Sequence, residues 1–370
     1  MRSFLSPVLV AGGLLSVIGI GPVGQEPHSL KAPFTVCAGG DVTLGTNLDP
    51  KWASHAGDTL RKVFGLRPHP DSLATALRPF LSGAQLILAN VEGAIGTGPA
   101  PRKCRPRSTN CFAFRQPTAA ARALRHLADS SVAVVGNIAN NHSRDAGDDG
   151  REKTIEHLHA AGVLVTGADT LATPVPLPSG DTIAILGFHT DSSTPDARDL
   201  AAVRRHVARA VEEYGTVIVT MHLGAEGPSA QRTRNAVEKF LNGNRGNPVG
   251  FADSAFAGGA TLVVGHGPHV LRAAEWRGDR LALYSLGNLL TYGPFNLRNP
   301  TDRGAVACVT IDSVRHVSAA ELRSTMQVWP GVLRPDSSNR AWKLVDSLSA
   351  LDFPKTGVAV DSAGRLVKRP

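Results

Sequence analysis

Six short apolar runs in this chain end in Asp, Glu, Asn or His. They are FTVCAGGD at Asp41, QLILANVE at Asn90 and Glu92, VAVVGNIANNH at Asn141 and His142, TVIVTMHLGAE at His222 and Glu226, TLVVGHGPH at His266 and His269, and LALYSLGN at Asn288. Carboxylates, amides and imidazoles without thiolate are the ligand types of zinc, manganese or iron. Asp41, Glu92, Asn141, His222, His266 and His269 supply enough donors for two divalent ions side by side. Such a pair clamps an in-line displacement at an ester centre. Glu92 could bridge the two ions, and His142 offers a proton or a further ligand. A lone His at a strand end is usually an ordinary core or surface residue. Here the reading rests on several separate tips that each carry a candidate ligand.

For these groups to meet, the runs must be strands of a largely parallel sheet. Open α/β sheets bind ligands at the carboxyl ends of their strands. The intervening segments supply the helices this requires. Apolar spacing predicts helices over 70–82, 117–130, 147–161, 197–213, 228–241 and 250–257. Gly162 is placed to end the third of them. Alternating strand and helix argues for parallel pairing. Two antiparallel strands are expected near 271–276 and 280–286, around a Gly-Asp turn. Gly39, Gly40, Gly136, Gly265 and Gly287 are expected at tight turns that expose the tips. After about residue 300 come further strands, a helix over 338–352 and a terminal hairpin. These residues either complete the main domain (31–300) or form an appendage to it.

Composition narrows the class. An apolar share of 42% and a charged share of 19% describe a globular protein with a large core. Aromatics make up 5%, too few for a nucleic-acid stacking surface, so no nucleic-acid partner is expected. The net charge of +8 is compatible with acidic partners, but evenly scattered Arg with no Lys/Arg block longer than RKCRPR at 102–107 is the simpler reading of it. No GxxxxGK[ST], no GxGxxG at a strand-to-helix junction and no GxSxG occur. That sets aside phosphate-loop and serine-nucleophile chemistry.

Arg2 precedes an uncharged, mostly apolar stretch over 3–24. Residues 1–30 therefore read as a secretory signal or an uncleaved membrane anchor. Exported proteins keep disulfides. Cys104 and Cys111, in the loop KCRPRSTNC, are expected to pair. Cys37 and Cys308, inside apolar runs, are expected as buried, unpaired thiols.

The ordered motifs GGDVTLG, ANVEG, NNH, HLGAE, GHGPHV and YSLGN resemble the bacterial capsule synthesis family typified by CapA and PgsA. The resemblance spans roughly residues 34–300. It implies a calcineurin-like metallophosphoesterase fold, a four-layer α/β/β/α sandwich. It also implies an extracytoplasmic, membrane-associated role in making or exporting poly-γ-glutamate or a related capsular polymer. By similarity, Asp41, Glu92 and His269 would hold one metal. Glu92, Asn141, His222 and His266 would hold the other, with Glu92 shared. His142 would act on the substrate, and Glu226 would orient His222. Asn90 and Asn288 would support the ligands or touch substrate. Partners would be an anionic polymer or phosphoester and a membrane-bound capsule-synthesis complex. The chain departs from the metallophosphoesterase pattern at Thr43, where a His is usual, and at the NVE of its second motif. Within the capsule family it departs at Leu223, Gly267 and Leu289. The alternatives are a free-standing secreted phosphoesterase and a non-catalytic polymer-binding scaffold.

Overall fold

In the computed structural model, which describes residues 29–98, 103–104, 111–191 and 195–369, the apolar runs become strands of two stacked sheets. The expected signal or anchor segment falls almost wholly outside the described residues, as does much of the basic stretch at 102–107.

In chain order the strands of the two sheets are β1 (Phe34–Leu44), β2 (Leu86–Val91), β3 (Ala133–Asn137), β4 (Leu164–Thr166), β5 (Thr173–Pro176), β6 (Thr182–His189) and β7 (Val217–His222). They continue with β8 (Leu262–His266), β9 (Ala274–Arg277), β10 (Arg280–Leu283), β11 (Asn288–Tyr292), β12 (Arg303–Ile311), β13 (Val317–Val328) and β14 (Val332–Pro335). The helices are α1 (Pro50–Phe64), α2 (Pro70–Ala74), α3 (Ala119–Arg125), α4 (Gly147–Ala160), α5 (Leu200–Tyr214), α6 (Pro248–Ala257) and α7 (Arg340–Asp352). The first sheet runs β14-β13-β12-β1-β2-β3-β4, with β11 also paired to β1. The second runs β9-β10-β8-β7-β6-β5. The site-bearing strands β1, β2 and β3 are mutually parallel, and so are β6, β7 and β8.

The side-chain period of two sorts each strand between layers. Val36, Leu86, Leu88 and Val135 of the first sheet meet Ile185, Ile218, Leu262 and Val264 of the second in a shared core. The opposite face of the first sheet, with Cys37, Ile87 and Val134, packs on Ala56 and Leu60 of α1, Leu124 of α3 and Leu158 of α4. The opposite face of the second, with Leu186, Val219 and Val263, packs on Val203 and Val207 of α5 and Phe251 of α6. Three cores therefore separate four layers, α/β/β/α. Burial on both faces explains why the runs are continuously apolar rather than alternating.

Residues after 300 complete the first sheet through the antiparallel pairing of β12 with β1. This pairing corrects one expectation. Cys37 and Cys308 are buried, but they are not free thiols: they lie directly opposite in register and form a disulfide. Their separation of 271 residues hid the pair from local inspection. Cys104–Cys111 is bonded as expected. With no free cysteine, the chain matches an oxidising, extracytoplasmic compartment. No helix among the described residues is long and apolar enough to cross a membrane.

Other expectations also shift. Helix α1, capped by Asp49 Oδ1 on the Trp52 amide at 2.9 Å, has no counterpart among the helices that apolar spacing predicts. The segment 70–81 divides into α2 and a 3-10 turn that contains Pro79. The helix expected over 228–241 is absent: this stretch is irregular and ends in a short hairpin over 239–244. Long-range bonds outweigh its weak periodicity. The Thr233 amide donates to Asp352 at 2.7 Å, and Glu238 is drawn inward to Arg272. Gly39, Gly40, Gly136 and Gly265 depart from expectation too: they sit within β1, β3 and β8, not in turns, and at Gly40 a Cβ would fall 1.8 Å from the Gly287 carbonyl oxygen.

The Glu238–Arg272 pair fixes this irregular segment over the sheet edge. Arg272 is buried and donates from both terminal nitrogens to Glu238 at 2.8 and 2.7 Å. Glu238 also accepts from the Ala225 amide at 2.7 Å. Removing one partner strands a charge in a largely buried position. Arg272→Met is therefore expected to cost about 3 kcal/mol of unfolding free energy, measured by urea titration. Pairing it with Glu238→Leu should restore part of that loss.

Candidate metal centre

Strand register builds the centre in two facing rows. In the first sheet Asp41 lies level with Asn90 on one side and Asn288 on the other, and Asn90 lies level with Asn137. In the second, His189, His222 and His266 lie level across β6, β7 and β8. Beyond the tips, Glu92, Asn141, His142, Glu226 and His269 stand on the connecting turns.

The rows interlock through buried amides. Asn90 Nδ2 donates to Asp41 Oδ1 at 2.8 Å and faces His222 Nδ1 at 3.2 Å. Asn90 Oδ1 accepts from Asn137 at 2.9 Å and from Asn140 at 3.1 Å. His222 Nε2 donates to Asn141 Oδ1 at 2.7 Å. Thr220 holds the Nε2 side of His266, which leaves Nδ1 3.3 Å from His222 Nδ1. His269 Nδ1 is 3.0 Å from both Asp41 Oδ2 and Asn288 Oδ1. His269 is a non-glycine residue at φ +58°, and that left-handed backbone aims its ring at the carboxylates. Gly267 is required nearby: at φ +105° a Cβ would lie 3.0 Å from the His222 ring.

Within each of two sets the donor atoms lie within 4.8 Å of one another: Asp41, His222 and His266 form one, and Asp41, Glu92 and His269 the other. Asp41 is the residue common to both. Glu92 nevertheless touches each set, with Oε1 3.8 Å from His222 Nε2 and 3.6 Å from His269 Nε2. Glu92 is fully buried, and neither of its carboxylate oxygens has a hydrogen-bond partner. A bare buried carboxylate among imidazoles is costly unless something cationic is bound to it. The donor set present therefore fits divalent metal. Thr43, at the position where a His is usual, ties the backbone instead: its hydroxyl donates to the Glu92 carbonyl at 2.7 Å.

Residues 35–292 match the family model described as "Bacterial capsule synthesis protein PGA_cap". The chain belongs to the PGA_cap family. Among curated proteins none matches. Solved structures similar to this PGA_cap member include a hypothetical protein from Thermus thermophilus, 14% identical, at TM-score 0.42. That alignment covers 78% of this chain and 98% of the other. A Staphylococcus aureus protein described as a putative 5'-nucleotidase, solved with alpha-ketoglutarate, is 12% identical at TM-score 0.44, covering 85% of this chain and 58% of that one. Purple acid phosphatase PPD1 from yellow lupin seeds is 9% identical at TM-score 0.36, covering 82% and 54%.

The PGA_cap site is electrostatically divided. Burial raises Glu92, and the Asp41 charge raises it further, so it stands well above the usual carboxyl range. Burial also pushes Asp41 up, but the hydrogen bond and charge of His269 overcome this and hold it low. Burial works against the His269 charge, yet Glu92 and Asp41 raise it well above the ordinary value. Burial lowers His222 strongly and takes His266 to about 4.

Three participants were not singled out from sequence. Asp145 accepts from His142 Nδ1 and from the Phe114 amide, each at 2.6 Å, and from Lys103. Asn137 buttresses Asn90. His189 is buried, donates from Nδ1 to the His222 carbonyl at 2.9 Å, and packs edge-on against the His222 ring. Its GFH run is a seventh strand tip, a buried apolar run that ends in His as the other six end in polar residues. Glu226 pairs with Arg245 at 2.8 Å and approaches His269 at 3.8 Å.

Burial takes His189 down to about 3, so its folded-state ring stays neutral while the unfolded ring gains a proton below the ordinary value of 6.5. A lowered pKa of this kind contributes stability above 6.5 that is lost as pH falls toward 3. In the metal-free protein, His189→Gln is expected to flatten the fall in melting temperature across that interval. Parallel curves for variant and wild type would contradict the assignment.

Proposed function

We propose that this chain is an extracytoplasmic component of capsular polymer assembly. It uses a metal-dependent hydrolase-like site on an anionic polymer, poly-γ-glutamate or a related one, or on a phosphoester precursor of it. The observation that carries the reading is Glu92, a fully buried carboxylate with two unpartnered oxygens between His222 and His269. Asp41, Glu92 and His269 would hold one ion, and His222, His266 and Asn141, with Asp41 or Glu92, a second. Nitrogen and oxygen donors without thiolate suit manganese, zinc or iron. Such ions, when bound, polarise a phosphoryl or carbonyl oxygen and lower the pKa of water.

The remaining chemistry belongs to the chain. Asn90 and Asn288 hold Asp41 and His269 in place. Asp145 binds His142 Nδ1, so Nε2 is the nitrogen free to exchange a proton with a leaving oxygen. Burial lowers His142, and the Asp145 charge opposes that fall and would stabilise the imidazolium. Family membership supports the capsular context, and the net charge of +8 is compatible with a polyanion. The apolar segment 3–24 would hold the domain at the membrane beside a capsule-synthesis complex. The test is metal content of the purified chain, followed by assay of the loaded protein on phosphodiesters and on poly-γ-glutamate. Bound metal with cleavage of either substrate is expected. A chain that binds metal yet cleaves neither is a scaffold.

A further inference from the structure

Two cavities open onto the proposed centre, and they differ in character. The larger, about 410 Å³, is lined by Lys103, Arg198, Arg245 and His189. The smaller, about 260 Å³, is lined by Phe112, Phe114, Phe240 and Phe295, with His142 and His269 among its walls. Phe112, Phe240, His142 and Glu226 line both and stand where the two meet.

The aromatic walls are joined to the chemistry. Phe114 stacks on Phe295 with centroids 4.8 Å apart and tilts against the His142 ring at 4.7 Å. Phe295 also faces His269 at 6.3 Å. The Phe114 amide is held by Asp145, the carboxylate that binds His142. Phe112 follows the Cys104–Cys111 disulfide and is 55% exposed, an unusual position for a phenylalanine beside a polar centre. Phe240 comes from the separate hairpin over 239–244.

We propose that this phenylalanine cup is a subsite for a planar aromatic ring carried on the substrate's anionic centre. The inference rests on the phosphoester reading above and deepens it. A volume of about 260 Å³ suits one compact group rather than a long chain. Four phenylalanines in the lining favour offset or edge-on packing with another ring. With the anionic centre on the ion that Asp41, Glu92 and His269 would hold, the ring would lie beside His142, the group that handles the leaving oxygen.

The test is calorimetric titration of the full-length chain, loaded with manganese, using phenylphosphonate, hexylphosphonate and methylphosphonate. None of them can be hydrolysed, so turnover is not needed. Phenylphosphonate is expected to bind about tenfold more tightly than methylphosphonate. That ratio should fall toward one in Phe112→Ala/Phe240→Ala. Phe112 is exposed, and the single variant Phe112→Ala serves if the double variant does not fold. Equal affinity for phenyl- and methylphosphonate overturns the cup and leaves the phosphoester reading standing. Hexylphosphonate binding as tightly as phenylphosphonate overturns the ring in favour of an aliphatic group. Binding of none of the three overturns the phosphoester reading and the cup together.

Discussion

Glu92→Gln is expected to make the metal-free protein more stable and to remove its stabilisation by metal. Both effects come from one carboxylate. In the folded chain Glu92 lies fully buried near Asp41, with no donor on either oxygen. Leaving a buried polar group unsatisfied costs about 1–3 kcal/mol, more for a charge. Burial first, and then the Asp41 charge, hold it well above its ordinary value of 4.5. A raised acid keeps its proton in the folded state after the unfolded chain has lost it. Stability is therefore full below 4.5 and falls as pH rises from there toward the folded value. Glutamine has nothing to ionise, so the gap in melting temperature between variant and wild type should widen as pH rises above 4.5. Metal reverses the order. An ion at a hundred times its dissociation constant stabilises the wild type by about 2.7 kcal/mol, and the amide forfeits most of that. Thermal melts with and without manganese, across pH, read both signs at once. A variant that melts lower than wild type without metal, or gains as much from metal, would contradict this account of Glu92.

His142→Ala should leave metal affinity nearly intact and lower turnover by about 10²–10⁴-fold. The ring sits against Phe114 and is bound by Asp145, but it belongs to neither donor set. Its expected work is on the leaving oxygen, so the loss should depend on the leaving group. Esters of basic alcohols need a proton and should suffer most; nitrophenyl esters leave readily and should suffer least. Asp145→Asn should show the same dependence in weaker form, since it removes the charge that favours the imidazolium. A uniform loss across leaving groups would make His142 a binding residue and not an acid.

Much of this arrangement was legible because it is written in strand ends. His222 and His266 end their parallel strands, Asn90 lies one residue before the end of β2 and Asp41 three before the end of β1, and apolar runs of that kind announce themselves. What stayed hidden depends on register between distant strands. Cys37 and Cys308 become neighbours only when β12 pairs antiparallel with β1. His189 joins His222 and His266 only because β6 runs beside β7. Asp145 stands in the turn before α4, and its role emerges from Lys103, Phe114 and His142 converging on it. The segment 228–241 carries enough apolar residues to suggest a helix, but Glu238 serves the buried Arg272 and Thr233 serves Asp352. No local period encodes such tertiary bonds.

The most direct test of the central claim is elemental analysis of the full-length chain after incubation with manganese or zinc and desalting, beside Glu92→Gln and Asp41→Asn. Stoichiometric metal in the wild type, much reduced in both variants, is the expected result. Wild-type protein that retains no metal, or variants that retain as much as wild type, would mean that the acids and imidazoles at this sheet edge do not form a cation site.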